Sequence, residues 1–221
     1  MSLSLANILK KSYASNEEAK QALLKYNYVL DEKLSNDNQK VFFNPKTKKL
    51  LVAVAGTHNV KDAVTDVYLG AGKLKETSRY KEAKKVLEQA RKRYPSASEN
   101  VDLLGHSLGG SIASRIGKNK DRIYTFNKGS TIDEISRANE KSYRASGDVV
   151  SLLAPNTKTI DKTVTNLRAN QLPNQQPTFF KSHNIANFQD IFLPDTKQSP
   201  ELIYDPNAGD SVEFQNYGLD E

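Results

Sequence analysis

The chain contains no cysteine in its 221 residues, which rules out disulfides, thiol nucleophiles and thiolate metal ligands. Cysteine-free proteins occur in every compartment, so this absence excludes no location. Long apolar runs are missing too: nothing approaches the roughly eighteen consecutive apolar residues of a membrane-crossing helix, and no transmembrane segment is expected. In the opening stretch Met1–Lys11 the lysines follow the apolar patch instead of preceding it, contrary to the order of a secretory leader. The default expectation is a cytoplasmic protein. Histidine is scarce, with only His58, His106 and His183, so any chemistry that needs an imidazole has three candidates.

What the chain does contain fits one soluble domain with a sizeable core: hydrophobic residues make up 37% and the mean hydropathy is −0.64. Its net charge of +6 is unevenly spread. From Asn184 onward eight acids face Lys197 alone, a balance of −7 that leaves +13 on residues 1–183. A basic body of this kind can attract a peripheral anionic lipid surface. The lysines are dispersed along helix faces and not interleaved with aromatics, so no nucleic-acid partner is expected.

The most informative stretch runs from Val101 to Gly117 and joins a short apolar run to a helical pattern through Gly105-His106-Ser107-Leu108-Gly109. Gly-x-Ser-x-Gly between a strand and a helix is the pattern of a nucleophile elbow, where a strained turn lifts the serine hydroxyl clear of the sheet and its neighbours must be small. Leu108 then has its N–H at the helix N-terminus, suited to meet an oxyanion formed at Ser107. An ordinary Gly-rich loop with a buried serine is the alternative. Leu108, Ile112, Ala113 and Ile116 recur at helical spacing, and Gly117 fits the helix stop.

Around this centre the residues alternate between strand and helix patterns. Ser15 and Glu18 form a capping box before a helix with Ala19, Ala22, Leu23 and Tyr26 on one face. Val41–Phe43 and Leu50–Ala55 flank a turn-rich bridge and predict a hairpin leading into a central strand, whose unbroken apolar run implies burial on both faces. Gly56, Thr57 and His58 follow, then a short helix over residues 60–67 in which Asp62 and Asp66 tie down the loop. Thr57 is placed to offer its N–H to an oxyanion, or to cap that helix. Residues 79–94 predict a helix with Tyr80, Ala83, Val86, Leu87, Ala90 and Tyr94 on one stripe, ended by Pro95. Arg122–Phe126 reads as a strand, Thr131 opens a helix to about Asn139, and Tyr143–Ser146 reads as the next strand. The fold class is therefore α/β, with a mostly parallel central sheet and helices on both faces, and ligands are expected beyond the strands' carboxyl ends.

In the hydrolase order of nucleophile, acid, histidine, His58 comes too early and His106 is fixed beside the serine, which leaves His183 as the base. Asp148, just past a predicted strand, is favoured as the acid over Asp161 in a polar loop.

Four stretches, Leu51–Thr57 with Asp62 and Asp66, Val101–Gly110, Ile123–Phe126 and Tyr143–Val150, followed by His183, together resemble the class 3 lipase family of α/β-hydrolases over roughly residues 40–190. The resemblance implies a catalytic triad of Ser107, Asp148 and His183, an oxyanion hole of Thr57 and Leu108, and cleavage of carboxylic esters, including lipids, through an acyl-enzyme with no metal or cofactor. The chain departs from the family at Ala55, where an arginine is usual, at Asn127–Ser130, which replaces Gly-x-Pro-Arg, and at Val149, where a proline is usual. A non-catalytic binding or assembly module on the same fold is the alternative function. Residues 1–192 are expected to form one domain and residues 193–221 an acidic tail, extended or packed on the body. The family's lid would fall at Tyr68–Ser78, where only Tyr68, Leu69, Ala71 and Leu74 are apolar. So small an apolar face predicts an esterase without interfacial activation.

Overall fold

The computed structural model describes residues 3–58, 73–129, 137–145, 148 and 183–194. The strands of these residues are β1 (Val29–Leu30), β2 (Gln39–Asn44), β3 (Lys49–Val54), β4 (Val101–His106), β5 (Arg122–Phe126) and β6 (Glu140–Tyr143). They lie side by side in chain order in one six-stranded sheet. β2 pairs antiparallel with both β1 and β3, and β3 to β6 are parallel. The expected hairpin is β2–β3. Asn44 Oδ1 accepts the N–H groups of Lys46 and Thr47, each at 3.0 Å, and Lys48 takes φ 53°, so a side-chain-capped turn reverses the chain.

Alternate residues of β2 to β5 feed two cores. Leu51 and Ala53 of β3, Leu104 of β4 and Tyr124 and Phe126 of β5 face α1 (Leu5–Ser12) and α2 (Asn16–Leu23). Leu50, Val52 and Val54, with Leu103 and Ile123, face α3 (Ser78–Arg93) and α4 (Leu108–Ile116). The sheet is thus covered on both sides, as the apolar run of β3 required. Helix α3 buries Ala83, Val86, Leu87 and Ala90, four members of its expected stripe, with Tyr80 and Tyr94 partly buried beside them. Ser15 caps α2 by accepting the N–H of Glu18. Helix α1 was not foreseen. It docks against the 3₁₀ turn Ile185–Phe188 and is held there by Leu5 N–H to Ile191 O (2.8 Å) and Leu193 N–H to Leu3 O (2.8 Å).

Two expectations need correction. The strand after β5 is Glu140–Tyr143, three residues earlier than the apolar pattern suggested. Its first residue is a buried glutamate whose carboxylate accepts from Lys128 Nζ (2.7 Å), Thr125 Oγ1 (2.8 Å) and Ser114 Oγ (2.7 Å), and a charge so paired can occupy a core strand. Gly117 ends α4, but with φ −65° and ψ 151°, extended and not left-handed. The helix expected over residues 60–67 with Asp62 and Asp66, the lid residues 68–72, most of the helix from Thr131, Asp161 and the tail from Asp195 lie outside the described residues. Leu74, the last apolar residue of the lid stretch, is buried in the α3–α4 core.

Candidate active site

Strand β4 runs between β3 and β5 and delivers Ser107 at its carboxyl end. Ser107 has φ 56° and ψ −126°, a conformation that costs a non-glycine residue roughly 1–3 kcal/mol. Backbone hydrogen bonds hold it there: its N–H donates to Phe126 O (3.0 Å), and its carbonyl accepts from Gly110 (2.9 Å) and Gly129 (3.1 Å). The elbow also demands close approach. A methyl group at Gly105 would collide with the backbone of Gly109, and one at Gly109 with the carbonyls of Val54 and Ala55. Helix α4 therefore starts directly on the ends of β3 and β4, and the N–H of Leu108, in its first turn, has no acceptor within the helix.

Asp148 and His183 meet beside this turn. Asn127, at φ 44°, donates its N–H to Tyr143 O (2.8 Å) and accepts the N–H of Ala145 on its side chain (2.9 Å), which turns the chain leaving β6 inward. Asp148 N–H then donates to Ala145 O at 3.2 Å. The Asp148 carboxylate is completely buried and accepts from His183 Nδ1 at 2.8 Å. With Nδ1 as donor, the neutral ring presents the lone pair of Nε2. That nitrogen and Ser107 Oγ are both buried and have no hydrogen-bond partner among the described residues. Buried polar atoms are usually satisfied, so an unmatched ring nitrogen and an unmatched hydroxyl at this end of the sheet mark a candidate site.

His106 packs against His183 and has a different role. Its Nε2 donates to the carbonyl of His183 (2.8 Å), and the two rings lie 4.9 Å apart. Its Nδ1 accepts from Tyr13 OH (2.7 Å), and the same hydroxyl accepts the N–H of Gly56 (2.6 Å). Burial, aided by His183, pushes the His106 imidazole down to about 3, so it stays neutral. Burial raises the Tyr13 phenol to about 12, so it stays a donor. His58, by contrast, is exposed and donates from Nε2 to Asp37 O at 3.2 Å.

Gly56 and Thr57 follow β3 at the same end of the sheet. A methyl group on Gly56 would lie 2.9 Å from Ser107 Cβ, so the loop carrying Thr57 passes directly beside the serine. Among the described residues no group of three or more His, Asp or Glu side chains forms a metal-binding set. Sequence reasoning missed Tyr13 and Arg79, which hold this loop. Tyr13 carries no sequence signal. Arg79 carries a weak one, because a cation in the first turn of a helix opposes the helix dipole and wants a local acceptor.

The family model for Tle-like phospholipase domains matches residues 11–172. Among solved structures, the Lip2 lipase of Yarrowia lipolytica is similar with 15% identity and a TM-score of 0.44, over 67% of this chain and 73% of that one. An MDLA variant from Penicillium cyclopium is similar with 14% identity and a TM-score of 0.40, over 68% and 70% of the two chains. No curated protein matches the chain.

Proposed function

Because the chain belongs to the family of Tle-like phospholipase domains, we propose that it hydrolyses carboxylic esters of lipids with Ser107 as nucleophile, His183 as general base and Asp148 as the acid that orients it. The reading rests on one observation: His183 is anchored through Nδ1 on Asp148, while its Nε2 and Ser107 Oγ are buried without hydrogen-bond partners among the described residues. Ser107 Oγ attacks the ester carbonyl as its proton passes to His183 Nε2. The imidazolium is stabilised by the Asp148 carboxylate, and the N–H groups of Thr57 and Leu108 receive the oxyanion. The tetrahedral intermediate collapses as His183 returns the proton to the departing alkoxide. Water, deprotonated by the same nitrogen, then attacks the acyl-enzyme and releases the carboxylic acid and Ser107.

Residues 1–192 serve as the catalytic domain in this reading, with 193–221 as an appended tail. The excess of basic residues before Asn184 supports peripheral contact with an anionic lipid surface. Labelling with a fluorophosphonate tests the proposal. Modification confined to Ser107, with loss of hydrolysis of p-nitrophenyl butyrate and of phospholipid vesicles, supports it. Folded protein that takes no label and cleaves neither substrate is instead a binding module.

A further inference from the structure

Arg79 sits half-buried in the first turn of α3, far in sequence from every residue of the proposed machinery, yet its guanidinium reaches the loop after β3. Nη2 donates to Ala55 O at 2.7 Å and Nη1 to Gly56 O at 3.0 Å. These carbonyls belong to two successive peptide groups. In the first, Ala55–Gly56, the C=O is held by Arg79 and the N–H by Tyr13 OH at 2.6 Å, so the plane is pinned from both sides by side chains. In the second, Gly56–Thr57, the C=O is held by Arg79, and the trans peptide obliges the Thr57 N–H to point the opposite way. Glycine at position 56 gives this second plane more rotational freedom than any other residue would, which the Arg79 bond reduces.

We propose that Arg79 is a positioning residue for the oxyanion loop: by gripping the carbonyls of Ala55 and Gly56 it fixes the direction of the Thr57 N–H beside Ser107. This rests on the ester-hydrolase reading above. The fork of a guanidinium suits the task, since two parallel donors on one rigid plane meet two adjacent carbonyls, whereas an ammonium reaches one. The placement also goes against helix electrostatics. Helix α3 carries no acid in its first turn, and a cation there opposes the dipole, a cost that the two carbonyl bonds help offset. Thr77 fixes where the helix begins by accepting the N–H of Tyr80 (3.2 Å) and donating to Leu74 O (2.7 Å), which sets the reach of Arg79.

The experiment compares wild type, Arg79→Ala and Arg79→Lys on p-nitrophenyl butyrate, with melting curves and the inhibition constant of phenylboronic acid, a tetrahedral mimic. Loss of one oxyanion donor typically lowers kcat about 10²–10³-fold. Arg79→Ala is expected to lower kcat by at least about tenfold at near-constant KM, to weaken the boronic acid in proportion, and to regain activity when millimolar methylguanidinium is added. Arg79→Lys keeps the charge and most of the packing and should lose kcat to an intermediate degree. A variant that melts with wild type and keeps its full kcat overturns the inference while leaving the ester-hydrolase reading intact. If Arg79→Ala fails to fold, Arg79→Lys decides by the same criterion. A wild type inactive towards every ester and unlabelled by fluorophosphonate overturns both.

Discussion

Acidification is expected to weaken the fold through a single imidazole. His106 donates from Nε2 to His183 O and accepts on Nδ1 from Tyr13 OH, while Tyr13 OH is itself occupied as acceptor of the Gly56 N–H. A proton on Nδ1 would set two donors against one oxygen and strand the phenolic hydrogen in a buried site. The other groups around the ring are His183 and the Asp148 carboxylate, with His58 packed edge-on to Tyr13. Burial holds His106 down to about 3, against 6.5 when unfolded. The sign follows from linkage. Between these values the unfolded chain binds a proton that the folded chain refuses, so stability is full above about pH 6.5 and falls as pH falls towards 3. The slope is about 1.4 kcal/mol per pH unit, or roughly 2–3 kcal/mol between pH 7.5 and 4.5. His106→Gln, which cannot titrate, removes this term but keeps every carboxylate. Urea unfolding of both proteins at pH 7.5, 6.0, 5.0 and 4.5 isolates it: the stability advantage of wild type should shrink by that amount on acidification. Parallel pH dependences in the two proteins would refute the reasoning.

Other expectations follow from the same geometry. Asp148→Asn should lower kcat about 10⁴-fold by losing control of the His183 tautomer, with His183→Ala and Ser107→Ala at least as damaging, all with unchanged circular dichroism. Retained activity in His183→Ala, measured on p-nitrophenyl butyrate, would remove His183 from the mechanism. Gly109→Ala would drive a methyl group into the carbonyls of Val54 and Ala55 and should cost roughly 1–3 kcal/mol in urea denaturation. Lys128→Met leaves Glu140, only 3% exposed, without its cation, and a loss of about 3–5 kcal/mol is expected by the same measurement. With Leu74 already committed to the core, little apolar surface remains in the lid stretch, so rates plotted against substrate should show no jump at the solubility limit.

The parts of this molecule that were legible in sequence are those where one physical rule dominates. The apolar run Leu50–Val54 reads directly as a doubly covered strand, and the Gly105-to-Gly109 spacing reads as an elbow because only glycine tolerates backbone at such distances. Asp148 and His183 were reached by chain order and meet at 2.8 Å. Strand β6 was misplaced because its first residue is a glutamate, and the partners that make it acceptable in a core, Ser114, Thr125 and Lys128, come from elements distant in sequence. The contacts of Tyr13 and Arg79 were invisible for a related reason. Each joins side chain to backbone across 43 and 23 residues, and backbone atoms carry no sequence identity. At Ala55, where the family pattern usually has an arginine, the carbonyl is held by Arg79.

The docking of α1 on the segment after His183 also sets an order of events during synthesis. Leu5, Ile8 and Leu9 leave the ribosome some 180 residues ahead of Ile185, Phe188 and Leu193, which complete their core. At about 5–20 residues per second that is a delay of roughly 10–35 s. Throughout it the amphipathic α1 lacks part of its cover, and the proposed base has not yet been made. A nascent chain can therefore form the elbow at Ser107 early and still be chemically silent. Hydrolytic competence would arrive late and in one step, when the segment before α1 and the segment after His183 close on each other through the Ser4–Phe192 bridge.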